Sequence, residues 1–151
     1  TLRIGTLLAN DKLFREENKS EYVSGVEIFA ASIEKNDVVW LQVGHPNVLL
    51  ARSGKGVIPL GSHVDLALDI AAGSKVLPPL PSQLIGLDPS CNLTIGSFRP
   101  QLNDKLILVS RSAMSERIYL LSDKEWNLTT ISQSLAQNHP DLAYWLGVLD
   151  I

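Results

Sequence analysis

Acid–base, metal or nucleophilic chemistry requires particular side chains at particular spacings, and this sequence offers few. The three histidines, His45, His63 and His139, have neither the close helical spacing of a zinc pair nor cysteine partners, so they read as surface or turn residues. Asp65 and Asp69 stand four apart and could share a helix face, the ordinary pattern of a solvated surface. Cys91 has no cation near it in sequence other than distant Arg99 and reads as a buried structural thiol, not a nucleophile. Thr1 is different in kind. A chain that begins at threonine can use its terminal amine as base for its own hydroxyl, the chemistry of N-terminal threonine hydrolases. Thr1 leads into a segment of helical periodicity, however, and not into the strand such a nucleophile begins.

The stretch that must position any site joins Leu80-Pro-Ser-Gln-Leu-Ile-Gly86 to Asn103-Asp-Lys-Leu-Ile-Leu-Val-Ser-Arg-Ser112. Its second part enters from a polar Asn-Asp turn, runs apolar from Leu106 to Val109 and stops. An apolar run that short and rich in branched residues fits a strand buried on both faces. Ser110, Arg111 and Ser112 then lie just past its end, at a sheet edge where ligands commonly bind.

Leu2 to Phe14 places Leu2, Leu7, Leu8, Leu13 and Phe14 at roughly helical spacing. Val26 to Ile33 and Val38 to Val43 read as strands joined by the turn residues Glu34 to Asp37, a hairpin. Gly44-His-Pro-Asn47 and Ser53-Gly-Lys-Gly56 punctuate two more strands, Val48 to Ala51 and Val57 to Leu60, which extends the hairpin into an antiparallel meander. Val64 to Ala72 has room for two helical turns, and Pro78, Pro79 and Pro81 enforce an extended segment after it. Helices are predicted over Met114 to Leu121 and Leu128 to Ala136, the second ended by Asn138-His-Pro140. Ala143 to Ile151 is a last strand. Trp40, Trp126 and Trp145 are expected as core or near-core anchors.

With 151 residues, 45% of them hydrophobic, and a net charge of −3, the composition is that of one soluble domain, residues 1–151. No basic patch argues for nucleic acid, and no apolar stretch approaches the roughly 20 residues a membrane helix needs. A lone Cys91 forms no internal disulfide, so a reducing, cytoplasmic compartment is the default. No secretory signal opens the chain, and the Asn-x-Ser/Thr matches at Asn18, Asn92 and Asn127 then read as chance.

Several motifs resemble, in order, the later part of the metal-dependent protein phosphatases, the type 2C serine/threonine family. Ala9-Asn-Asp-Lys-Leu-Phe14 is similar to the family's helix before a Gly-Thr-Thr strand, with Ser24-Gly25 where that Gly-Thr lies. Val43-Gly-His-Pro46 resembles its central hairpin in the Gly-His-Pro form of bacterial members. Leu80 to Ser112 resembles its leucine-x-x-x-leucine-hydrophobic-glycine segment and the strand that follows, and Asp141-Leu142 resembles the Asp-Asn pair before its last strand. The resemblance implies an α+β fold, an antiparallel β-sandwich flanked by helices, here incomplete. It also implies a two-metal site whose bound water attacks phosphorus, held by several carboxylates.

Two of those carboxylates fall within this sequence. At one the family has Ser-Asp-Gly where this chain has Ser110-Arg111-Ser112; the other is Asp141. Arg111 and Asp141 are thus vestigial metal positions, and the resemblance predicts no catalytic residue, no metal and no other cofactor. They are expected either to pair with each other or to stand as separate solvated side chains. The function implied is a catalytically inactive, regulatory or scaffold module acting by protein binding in signalling. The alternative is an active phosphatase using Mg or Mn held by residues outside this sequence; the Thr1 hydrolase is a third. Missing early strands would expose apolar sheet, to be covered by a preceding segment, a protein partner or a homo-oligomer contact.

Overall fold

The computed structural model describes residues 1–19, 23–61, 83–138, 141 and 143–151. In chain order the elements are α1 (Leu2–Arg15), β1 (Ile28–Glu34), β2 (Asp37–Val43), β3 (Asn47–Arg52), β4 (Gly56–Pro59), β5 (Thr94–Phe98), β6 (Lys105–Val109), α2 (Arg117–Leu120), α3 (Leu128–Asn138) and β7 (Leu146–Asp150), with short 3₁₀ turns at Glu17–Lys19, Arg111–Ala113 and Asp123–Glu125. They fall into two compact units, residues 1–45 with 80–99, and 46–79 with 100–151. The expected helix at Val64 to Ala72 and the proline segment after it lie outside the described residues, as do His63, His139, Asp65 and Asp69.

The first unit holds α1 and an antiparallel sheet of order β1-β2-β5. β1 and β2 pair from Ile28↔Val43 to Glu34↔Asp37 around a two-residue turn in which Lys35 takes φ 60°. The central strand β2 is the buried one: Val38, Trp40, Leu41 and Val43 are each 5% exposed or less. Trp40 lies between Ala31 on β1 and Gly96 on β5, two small residues that leave room for the indole. A Cβ at Gly96 would stand 2.5 Å from the Trp40 ring, so the glycine in this strand is a packing requirement.

The second unit holds a sheet of order β4-β3-β6-β7, antiparallel throughout. Leu49 and Ala51 on β3 and Ile107 and Val109 on β6 share a face and form a core with Ala113, Met114, Ile118, Trp126, Ile131 and Leu135. Val48, Leu50 and Leu106, which alternate with them, are also buried, so both inner strands are covered on both faces, as the continuous apolar run of β6 predicts. On α3, Ile131 and Leu135 are one turn apart and fully buried, each contributing roughly 1.5–3 kcal/mol of apolar burial. Asn127 caps that helix, its Oδ1 accepting the Thr130 N–H at 2.9 Å.

Several expectations are corrected. The meander is interrupted at Gly44-His45-Pro46: β2 and β3 belong to different sheets, and β3 pairs with β6 instead. The helix expected over Met114 to Leu121 is reduced to the single turn α2, because Met114 and Leu121 take extended backbone. Strand β5 falls in a region read only as a spacer. Trp40 and Trp126 are core residues, but Trp145 is 52% exposed. Asn127 of one Asn-x-Thr match is a helix cap. Asn18 of another binds Ser24 and Gly86 through both of its side-chain polar atoms.

Candidate functional site

Ser110, Arg111 and Ser112 follow β6 directly, as the strand assignment requires. The β6–β7 pairing continues one residue past its last strand pair: the Ser110 N–H donates to the Trp145 carbonyl at 3.1 Å, and the Trp145 N–H to Ser110 Oγ at 3.3 Å. Ser112 Oγ donates to the Ala143 carbonyl at 3.2 Å and lies 3.4 Å from Ser110 Oγ. The two hydroxyls thus lace the exit of β6 to the approach of β7, and both Arg111 and Asp141 fall in the second unit. Arg111 is half-buried at the first position of the 3₁₀ turn, with its Nη2 shielded from solvent. Asp141 is exposed, two residues before Ala143. The ion pairs found among the described residues are Arg15–Asp11, His45–Glu27, Arg52–Asp104, Arg99–Asp37 and Lys105–Asp150.

A divalent ion needs several oxygen ligands converging on one point. Among the described residues no three His, Cys, Asp or Glu side chains do so. The described residues at this end of β6 therefore bring no such ligand set together.

The other chemically equipped spots are structural. His45, expected at the surface, is 5% exposed: its Nδ1 lies 3.0 Å from Glu27 Oε1, which also accepts the His45 backbone N–H at 3.1 Å. Gly44 before it has φ 67°, and a Cβ there would meet Glu27 Oε1 at 2.9 Å, so the Gly-His pair is shaped to receive that carboxylate. In the second unit Arg52 clasps Asp104 with Nε at 3.1 and 3.2 Å and Nη2 at 2.6 Å, while the Gln101 N–H donates to Asp104 Oδ2 at 2.8 Å. Burial pushes the Asp104 carboxyl up, but the Arg52 and Gln101 hydrogen bonds outweigh it and hold it below the usual carboxylate value. Cys91 is half-buried, not buried, and desolvation pushes its thiol up, away from nucleophilic reactivity. Thr1 stands at the start of α1, not on a strand.

Two motifs that the sequence singles out separately meet in the first unit. Asn10 of the α1 motif is 2% exposed; its Oδ1 accepts the Gly86 N–H at 2.8 Å and its Nδ2 donates to the Asp88 carbonyl at 3.0 Å. Gly86, which ends the leucine-x-x-x-leucine-isoleucine-glycine segment, takes φ 95°, and a Cβ there would stand 2.9 Å from the Leu13 Cβ. The glycine is what lets that segment lie against α1.

The antiparallel sheets and their accompanying helices are those of the metal-dependent, type 2C protein phosphatases, and the chain has that fold. A phosphatase of the same type from Mycobacterium smegmatis, solved with cacodylate, superposes with a TM-score of 0.70 over 99% of this chain and 72% of its own, at 16% identity. The serine/threonine phosphatase Stp1 from Staphylococcus aureus gives 0.70 over 99% of this chain and 66% of its own, at 17% identity. The S. agalactiae serine/threonine phosphatase gives 0.65 over 90% of this chain at 18% identity, and this chain spans 62% of its length. No family model and no curated protein matches the sequence.

Proposed function

We propose that this chain is a catalytically inactive phosphatase-like domain that works by binding, as a regulatory or scaffold module of a cytoplasmic signalling system. The observation that carries the reading is Arg111. Where the type 2C pattern has a metal-binding carboxylate, this chain has a guanidinium, a reversal of two charge units at a place meant to hold cations. At an effective dielectric near 20, two unit charges about 4 Å apart interact by roughly 4 kcal/mol. A fixed cation at that distance opposes a divalent ion by more than that. Asp141 keeps its carboxylate.

The test is phosphoester turnover by the full-length protein with p-nitrophenyl phosphate, in manganese or magnesium and in EDTA. The reading expects no difference between them. Metal-dependent turnover that disappears in Asp141→Asn would make the protein an active phosphatase whose other ligands lie outside this sequence. Amide hydrolysis lost in Thr1→Ala would make it an N-terminal threonine hydrolase.

A further inference from the structure

Asn47 is the first residue of β3 and pairs with Val109, the last of β6. Alternation along the strands puts its side chain on the face of Leu49, Ala51, Ile107 and Val109, where every other strand residue is apolar. It is 1% exposed, and among the described residues neither its Oδ1 nor its Nδ2 has a hydrogen-bond partner. A buried polar group left unpaired disfavours the state that buries it by roughly tenfold or more. Here one side chain carries two such groups. The chain leaving β6 turns back onto the same face directly beside Asn47, since Ala113 and Met114 belong to that core and are buried in it. The turn closes on itself and on the approach of β7: the Ala113 N–H donates to the Ser110 carbonyl at 3.1 Å, the Met114 N–H to the Arg111 carbonyl at 3.4 Å, and the Ser112 hydroxyl to the Ala143 carbonyl at 3.2 Å.

We propose that residues 110–114 form a two-state flap over the start of β3, and that Asn47 sets how readily the flap opens. Closed, it packs Ala113 and Met114 into the core but keeps a carboxamide away from any partner. Open, it gives up that packing while both polar atoms of Asn47 reach water. The two effects oppose each other, so the closed state is favoured only shallowly and the flap opens without unfolding the unit. A leucine or valine at position 47 would match the rest of the face and deepen the closed state. The flap carries Arg111, half-buried when closed, so each opening moves the guanidinium at which this chain departs from the type 2C pattern. The inference adds regulation to the binding-module reading and rests on that reading only for the use to which the opening is put.

Native-state hydrogen exchange of the full-length protein, followed by NMR, is the test. The Ala113 and Met114 amides are buried and hydrogen-bonded, yet they should exchange at least roughly tenfold faster than the Leu135 amide inside α3. In Asn47→Leu that excess should shrink by roughly tenfold or more, because the closed flap no longer buries a carboxamide. Leucine adds volume, so Asn47→Val, nearer to asparagine in size, is measured beside it and should shift the ratio the same way. Exchange of Ala113 and Met114 no faster than that of Leu135 would overturn the proposal. So would a ratio unchanged in both variants, the result a water bound to Asn47 would give, or loss of Leu135 protection in both, which would make the carboxamide a requirement of the fold. Manganese-dependent phosphoester turnover by a protein that shows the expected exchange would overturn the inactive reading alone.

Discussion

Asp104 and Arg52 are the pair on which the second unit is most exposed to mutation. The Asp104 side chain has no solvent exposure and that of Arg52 only 12%, so removing one partner strands the other. Asp104→Ala is expected to cost about 3–5 kcal/mol in urea unfolding, whereas the apolar pair Arg52→Met with Asp104→Leu should recover most of that loss. The pH dependence follows from the direction of the shift. A carboxyl held below its unfolded value of about 3.9 contributes stability that is present above that pH and lost as pH falls through the lower, folded value. Stability measured from pH 5 downward should therefore fall more steeply in the parent than in the apolar pair. None of this was legible in the sequence, because the partners are 52 residues apart. The same holds for His45 and Glu27, which are 18 apart. Sequence patterns find residues whose spacing is local; Arg111 stood out only because the strand before it was recognisable.

Among the elements, strands and helices with clear periodicity were readable and their partners were not. Alternation and apolar runs located β1 to β4, β6 and β7, but nothing in a single strand says which neighbour it takes, so the break between β2 and β3 was missed. β5 was missed for a different reason: Gly96 lowers its strand propensity, and the reason for that glycine, the Trp40 indole, lies on another strand. Gly96→Ala should destabilise by about 1–3 kcal/mol through overpacking, measured by thermal unfolding, while an alanine at open Gly5 on α1 should not clash. The start of α3 gives a second check. Asn127→Ala removes the acceptor for the Thr130 N–H and should cost about 0.5–2 kcal/mol.

For the whole molecule, the fold was carried by the order of weak motifs, and the structure gives some of them a physical reason: Asn10 binds Gly86, and Gly44 makes room for Glu27. That Arg111 stands where the type 2C pattern has aspartate was also readable, since it is visible in one residue. Its contacts were not, because the approach of β7 that ties down Ser110 and Ser112 comes some thirty residues later. The reading of the whole chain turns on whether a cation-holding site survives beside a guanidinium, and manganese binding measures that without reference to turnover. In a titration followed by electron paramagnetic resonance, the full-length protein should leave the six-line spectrum of free manganese undiminished, and Arg111→Asp should bind manganese more tightly than the parent. Loss of that free signal in the parent at micromolar manganese, reversed by Asp141→Asn, would contradict the account.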